Sequence, residues 1–187
     1  MITSQMFTVK GGSPWYGVWW EDDYRVVGRV ERPHDGATIT CDGDVTSMRS
    51  MFALCRKLTS IDLSGFDTSK VFNMGHMFEC CNDLIELNLS GIDTSKVSNM
   101  GWMFSDCYKI STIDLSGFDT SNVEYMHCMF WDCCNLTTIK GIIDMKSCTD
   151  CAFMFKDCYK LRGVKIKNPP ADFDGEGLSP SQYTIVS

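Results

Sequence analysis

The sequence predicts an α/β repeat protein of about five 26-residue units, each with one strand and one helix. Two observations carry this prediction. A Met-Phe pair recurs at intervals of 26, 26, 26 and 25 residues, and a cysteine follows each Met by four positions. Within a unit, apolar residues spaced by three and four alternate with a short apolar-polar run. The methionines are Met51, Met77, Met103, Met129 and Met154, and the in-register cysteines are Cys55, Cys81, Cys107, Cys133 and Cys158.

The first half of each unit is predicted as a short helix, of ordinary or tightened 3₁₀ geometry, over residues 67–84 in the best copy. Asp67 and the two hydroxyl residues after it would cap its first free N–H groups. Its apolar residues fall on one face, which indicates a buried side. They are Val71, Met74, Met77, Phe78, Cys81 and Leu84.

The second half of each unit is predicted as a short strand, here residues 61–64, after which Gly65 turns the chain. A unit of 26 residues falls within the leucine-rich-repeat range. Each unit alone has too little apolar surface to fold, so neighbouring units must stack and bury a continuous core.

The repeat motif also carries a family resemblance. Residues 62–71 read Asp-Leu-Ser-Gly-Phe-Asp-Thr-Ser-Lys-Val, with near-identical copies at 88–97 and 114–123, each followed by Met-x-x-Met-Phe-x-x-Cys-x-x-Leu or its close variant. Over residues 44–166 this pattern resembles the BspA-like leucine-rich repeat of bacterial surface proteins and mycoplasmal lipoproteins. The resemblance implies a right-handed leucine-rich-repeat solenoid used for adhesion or other protein binding, without enzymatic activity. The residues after position 165 are similar to tails found after such repeats in bacterial and prophage-encoded proteins.

Three segments are therefore expected: an N-terminal β cap at 1–43, the repeat solenoid at 44–166, and an irregular C-terminal cap at 167–187. The first segment would close the open end of the stack. Its aromatic cluster, which includes Trp19 and Trp20, offers the alternative of a ligand-binding or sugar-stacking surface.

Sulfur is abundant, with 11 Cys and 12 Met. The five in-register cysteines are predicted to form an inward ladder that packs as small hydrophobic side chains, against the alternative of redox or metal chemistry. Cys148-x-x-Cys151 has the spacing of half a zinc site or of a redox pair, but it occupies positions that hold Val and Met in other copies. The cysteines off the template, predicted to be exposed and to oxidise first, are Cys41, Cys80, Cys128 and Cys134.

The charge balance argues against direct nucleic-acid binding, because the net charge is −7 and the pI about 4.9. A negative surface can instead imitate a phosphate array toward a nucleic-acid-binding protein. No apolar run is long enough to cross a membrane, and no secretory start is visible, so we expect a cytoplasmic location in the host cell rather than the cell surface.

No catalytic motif accompanies the three histidines, so an enzyme is not expected, and neither is a cofactor. The repeated Asp67, Asp93 and Asp119 suggest either a calcium ladder or helix capping, and one carboxylate per unit favours capping. No metal site is therefore predicted.

Function is expected on outward positions, as binding of a protein partner. One candidate is the polar strand face, and the other is an aromatic surface on the helix side. The alternative for these aromatic residues is that they only shield neighbouring units. A phage or prophage inhibitor of a host nucleic-acid-binding complex, a surface adhesin fragment, and a structural part of a phage tail or surface assembly all remain open. The candidate residues are Asp62, Glu86, Asn88, Thr112 and Asp114 on the strand face, and Phe72, Trp102, Tyr108, Tyr125 and Trp131 on the helix side.

Overall fold

The computed structural model describes residues 6–10, 14–21, 24–31, 38–42 and 45–187. Before the repeats it contains two antiparallel strand pairs. Strand β1 (Met6–Lys10) pairs with β4 (Thr38–Asp42), and β2 (Pro14–Glu21) pairs with β3 (Tyr24–Glu31).

Each full repeat contributes one strand of three residues. Strand β5 (Ser60–Asp62) pairs in parallel with β6 (Glu86–Asn88), and β7 (Thr112–Asp114) pairs in parallel with β8 (Thr138–Lys140). Partners in register are 26 residues apart, for example Ile61 with Leu87. The sequence period is therefore the step from one layer of the stack to the next. We call β5 to β8 the strand side.

The C-terminal region adds a parallel sheet of three strands. Strand β10 (Val164–Lys167) lies between β9 (Ile143–Asp144) and β11 (Tyr183–Val186). The segment expected to be an irregular cap thus supplies a paired strand at the end of the stack.

The predicted α/β solenoid of strand-helix units is wrong, because the described residues contain no helix. Successive four-residue turns, each closed by a hydrogen bond between residues three apart, replace it: the amide of Met77 donates to the Met74 carbonyl, that of Cys81 to Phe78, and that of Leu84 to Cys81. Such turns repeat apolar positions every three residues, as a helical face does. We call residues 71–84 and their counterparts the turn side.

Two features of the turn side prevent a helix. His76 and Cys80 have φ values of 59° and 57°, in the left-handed region that a right-handed helix excludes. The amides of His76 and Phe78 donate to the carbonyls of Gly101 and Met103 in the next repeat, both at 2.9 Å. Because these N–H groups bond between repeats, they are not available for bonds four residues back along the chain.

The core lies between the two sides and repeats with the sequence. Consecutive phenylalanines of the Met-Phe pairs stack nearly parallel with ring centroids 5.5 Å apart, in an unbroken column. Buried Thr68, Thr94 and Thr120 each join two successive layers; for example, the hydroxyl of Thr94 accepts from the Asp119 amide and donates to the Asp119 carbonyl. The column members are Phe52, Phe78, Phe104, Phe130 and Phe155.

Candidate functional site

A groove of about 770 Å³ crosses the strand side from β5 to β8. The apolar middle residue of each strand points inward, so the residues on either side of it face outward. We call this the strand groove. It brings together all five strand-face residues named from the sequence, which are Asp62, Glu86, Asn88, Thr112 and Asp114.

Side-chain turns at the ends of the strands fix the orientation of the groove residues. Oδ1 of Asp62 accepts the Ser64 amide at 2.9 Å, and Oδ1 of Asp114 accepts the Ser116 amide at 3.0 Å. Between them, the side-chain amide of Asn88 donates to Oδ1 of Asp62 at 3.0 Å. Oδ1 of each Asp is therefore held by the chain, while both carboxylates remain exposed to solvent.

The groove lies where the strand side is interrupted. Within the described structure, β6 pairs with β5 and β7 with β8, but β6 and β7 are not paired with each other. The middle residue of β6, Leu87, is partly exposed, whereas its counterparts Ile61, Ile113 and Ile139 are buried. The interruption exposes Leu87 in a groove that Ile61 and Leu89 also line.

Hydrogen bonds favour the charged form of the two aspartates in the groove. The backbone amide of Ser64 lowers the pKa of Asp62 by donating to its carboxylate, and the Ser64 hydroxyl lowers it further by a smaller amount. The Ser116 hydroxyl, followed by its amide, lowers the pKa of Asp114. The Lys140 amine lies 3.3 Å from Oδ2 of Asp114. Glu86 adds a third exposed carboxylate.

The charge changes sign along the stack, between the first strands of the strand side and β10. Asp62, Glu86 and Asp114 lie on β5 to β7. Further on, Lys140 is the last residue of β8. Strand β10 carries Lys165, which is exposed, and Lys167, which is partly exposed. The candidate residues named from the sequence cover the acidic part of this surface, and the lysines that follow occupy the same alternating outward positions.

The aromatic candidates lie on the turn side, outside the strand groove. Trp102 and Trp131 contact each other with ring centroids 5.0 Å apart, and both are partly buried. The Trp102 ring also stacks on His76, and the Lys156 amine lies 5.2 Å from the Trp131 ring centre. These two tryptophans therefore cover neighbouring repeats.

Three further aromatic candidates are solvent-exposed: Phe72, Tyr108 and Tyr125. The Tyr108 hydroxyl donates to Asp106 at 2.8 Å, so its polar end is already bonded within the chain. Trp19 and Trp20 lie in β2, and their side chains are outside the part that the structure describes.

The five in-register cysteines are buried and reduced. Four of them donate S–H to the carbonyl of a phenylalanine in the preceding repeat, for example Cys133 to Phe104 at 3.0 Å. Burial raises the pKa of Cys107, which leaves its thiol protonated. The bonded thiols are Cys81, Cys107, Cys133 and Cys158.

The off-template cysteines do not form one exposed class. Cys80 and Cys134 are partly exposed, as expected, but Cys128 is buried, so its predicted exposure is wrong. Burial raises the pKa of Cys128 to about 11. Its thiol points to the next repeat, where it donates to the Ala152 carbonyl at 3.8 Å. Cys41 lies in β4, and its side chain is outside the described part.

The aspartates suggested for calcium form turns instead of helix caps. Oδ1 of Asp67, Asp93 and Asp119 accepts the amide of the serine two residues later, at 2.9 to 3.0 Å. Across residues 45–187, no three His, Cys, Asp or Glu side chains are grouped so that they could hold a metal ion. Nor does this part of the chain include a helix long and apolar enough to span a bilayer.

Comparison with known families identifies the repeats. A scan against family models matches residues 46–168 to "Mycoplasma protein of unknown function, DUF285". Neither the curated proteins nor the solved structures give a match. The mycoplasmal part of the predicted resemblance is thus confirmed, and its BspA-like part stays a prediction. Because the match covers about two thirds of the chain and includes all five Met-Phe pairs, this chain belongs to the DUF285 family.

Proposed function

We propose that this chain is a non-enzymatic binding module that holds a protein partner in the strand groove. The observation that carries the proposal is the set of exposed carboxylates of Asp62, Glu86 and Asp114 in a groove of about 770 Å³. A segment rich in Lys and Arg complements this charge, and Leu87 offers an apolar contact beside it. The lysines of β8 and β10 would align an acidic end of the same segment.

The partner class that fits best is a basic, nucleic-acid-binding protein of the host cell. Such proteins carry clustered cations that read a phosphate backbone, and a row of fixed carboxylates competes for the same cations. The net charge of −7 makes direct contact of this chain with nucleic acid unfavourable. The chain would therefore inhibit its partner by occupying the nucleic-acid-binding surface, inside the cell where these complexes work.

A second candidate is a surface adhesin or a structural part of an assembly. It rests on the resemblance of residues 44–166 to BspA-like proteins and on the exposed aromatic residues of the turn side. Exposed tyrosine and phenylalanine are common at protein interfaces. This candidate predicts binding through Phe72 and Tyr125, with little dependence on salt.

The two candidates separate in a capture experiment with matched charge variants. One variant neutralises the groove by Asp62→Asn, Glu86→Gln and Asp114→Asn. The control combines Asp67→Asn, Asp93→Asn and Asp119→Asn. It also removes three exposed carboxylates, outside the groove, and keeps a side-chain oxygen in each of their turns.

Each protein is immobilised, exposed to bacterial lysate at low and high salt, and its bound proteins are identified by mass spectrometry. We expect a basic protein to bind the wild type and the control, and to be lost at high salt. The groove variant should bind it about tenfold more weakly or worse, since each exposed ion pair contributes up to about 1 kcal/mol. Equal binding by the groove variant would refute the groove, and self-association alone would favour the structural candidate.

A further inference from the structure

The parallel sheet at the C-terminal end of the stack has an unpaired edge. Strand β11 (Tyr183–Val186) pairs with β10 on one side, and no described strand pairs with it on the other side. An edge strand presents a row of free backbone N–H and C=O groups, which is a template for a further strand. Natural proteins commonly protect such edges with charged residues or proline. The sequence of β11, Tyr-Thr-Ile-Val, contains neither.

The register of the sheet shows which backbone groups point to this edge. Val164 pairs with Tyr183, and the Val164 amide donates to the Gln182 carbonyl at 3.0 Å. In a parallel pair, each residue of one strand bonds to the two residues that flank its partner on the other strand. Thr184 therefore bonds to β10 as Gln182 does. The N–H and C=O groups of Tyr183 and Ile185 point away from β10, toward the edge.

The apolar core of the sheet is also open at this edge. Ile143, Ile166 and Ile185 lie opposite one another in the three strands. The first two are 1% and 0% exposed, but Ile185 is 50% exposed. Tyr183, which faces the same side of β11, is partly buried because its ring packs against Phe173 with centroids 5.5 Å apart. The uncovered apolar surface is thus centred on Ile185, whose backbone groups also point to the edge.

We propose that β11 pairs in antiparallel orientation with β11 of a second copy of this chain, so that two stacks join end to end in a twofold-symmetric dimer. The symmetry axis passes beside Ile185, which lies opposite its own counterpart. Residues opposite each other in an antiparallel pair share a face, so both isoleucines stay on the core side of the joined sheet. Their edge-facing N–H and C=O groups bond to each other as a hydrogen-bonded antiparallel pair.

Two properties of the edge favour a second copy over a segment of another protein. Strand β11 carries no charge, so pairing with itself brings no like charges together, and the edge offers no charge complementarity to a basic or acidic segment. A twofold interface must be self-complementary, and one register satisfies both the backbone groups and the exposed side chain of Ile185. Because the strand has four residues, the interface belongs to the small, transient class, below about 1,200 Å².

Dimerisation through β11 is independent of the strand groove, because no residue of β11 lines the groove. The two interactions also respond to salt in opposite directions. Screening weakens the attraction of a basic partner to the groove, but it reduces the repulsion between two copies that each carry a net charge of −7. A salt series therefore separates a failure of one proposal from a failure of the other.

Sedimentation equilibrium of the reduced full-length protein, from about 10 μM to about 1 mM, measures the dimer directly. The test variant is Ile185→Lys, which places two like charges opposite each other across the axis. The control is Ile142→Lys, which adds the same charge at an isoleucine that is 45% exposed and lies outside β11. We expect the wild type and the control to dimerise alike, and more strongly at high salt. Ile185→Lys should dimerise at least about tenfold more weakly.

The register is tested by a disulfide cross-link. In Ile185→Cys the two introduced residues have Cα atoms about 5.5 Å apart, which a disulfide can join, whereas those of Thr184→Cys are offset along the strands by more than about 7 Å. Trypsin cleaves after Lys167 and releases residues 168–187, which contain no native cysteine. After mild oxidation, we expect mass spectrometry to find two linked copies of this peptide in Ile185→Cys and not in Thr184→Cys.

Three results would overturn the proposal. One is a wild-type protein that stays monomeric at about 1 mM and high salt, even if a segment of another protein occupies the edge; this result does not depend on any variant folding. Another is dimerisation of Ile185→Lys as strong as that of Ile142→Lys. The third is equal cross-linking by Ile185→Cys and Thr184→Cys.

Discussion

The turn side and the strand side of the repeats share one period but are held together differently. On the turn side, parallel backbone bridges link successive repeats without a break, at Ser47, Asn73, Asn99, Tyr125 and Asp150. On the strand side the pairing of described strands stops between β6 and β7. The comparison indicates that the turn side supplies most of the cohesion between layers, which leaves the strand side free to carry the groove.

Burial follows the same division. Leu84, at the end of the turn side, is fully buried, whereas Leu87 three residues later, in β6, is partly exposed. Hydrophobic stabilisation grows with the apolar area removed from water, so two leucines of one repeat should differ in their effect on stability. The difference can be measured directly.

The largest effect is expected from Leu84→Ala, which should lower the free energy of unfolding by about 2–5 kcal/mol because it leaves a cavity in the packed core. The same deletion at Leu87 should cost less than half as much. Urea denaturation followed by circular dichroism measures both. If Leu87→Ala proved as destabilising as Leu84→Ala, the strand side would be as important to cohesion as the turn side.

A smaller effect is expected where the buried threonines join the layers. Thr94→Val keeps the shape of the side chain but removes the oxygen that serves both the amide and the carbonyl of Asp119. Leaving these buried groups without a partner should cost about 1–3 kcal/mol. The matched control is Thr112→Val, at an exposed position in β7, which should change stability by no more than about 0.5 kcal/mol. Equal unfolding midpoints for the two variants would show that Thr94 does not join the layers.

Most of the layer-to-layer order could be predicted from the sequence, because the Met-Phe period is also the register of the stack. Strand β5 (Ser60–Asp62) overlaps the predicted run at 61–64. The helix could not be distinguished from chained turns, since both place apolar residues three apart. The left-handed backbone that separates the two occurs at His76 and Cys80, not at glycine, and so leaves no signal in residue type.

The candidate site, like the fold, could be predicted only in part from the sequence. Alternation along a strand is enough to place Asp62, Asn88 and Asp114 on one face. The interruption between β6 and β7 was not predictable, because Glu-Leu-Asn and Thr-Ile-Asp fit the same template equally well.

The smallest expected effect concerns pH and the turns that connect the two sides. The Ser121 hydroxyl and then its amide lower the pKa of Asp119 by bonding its carboxylate. Because its pKa is lowered in the folded state, the stability that this carboxylate contributes is fully present above its unfolded pKa. That contribution is lost as the pH falls below about 4. Asp119→Asn keeps an oxygen for the turn but cannot titrate, so it should lose less stability than the wild type between pH 7 and pH 3. Glu124→Gln, which removes an exposed charge of the same repeat, controls for net charge. Urea midpoints at the two pH values measure the difference. If Asp119→Asn loses as much stability as the wild type between pH 7 and pH 3, this turn does not contribute to acid sensitivity.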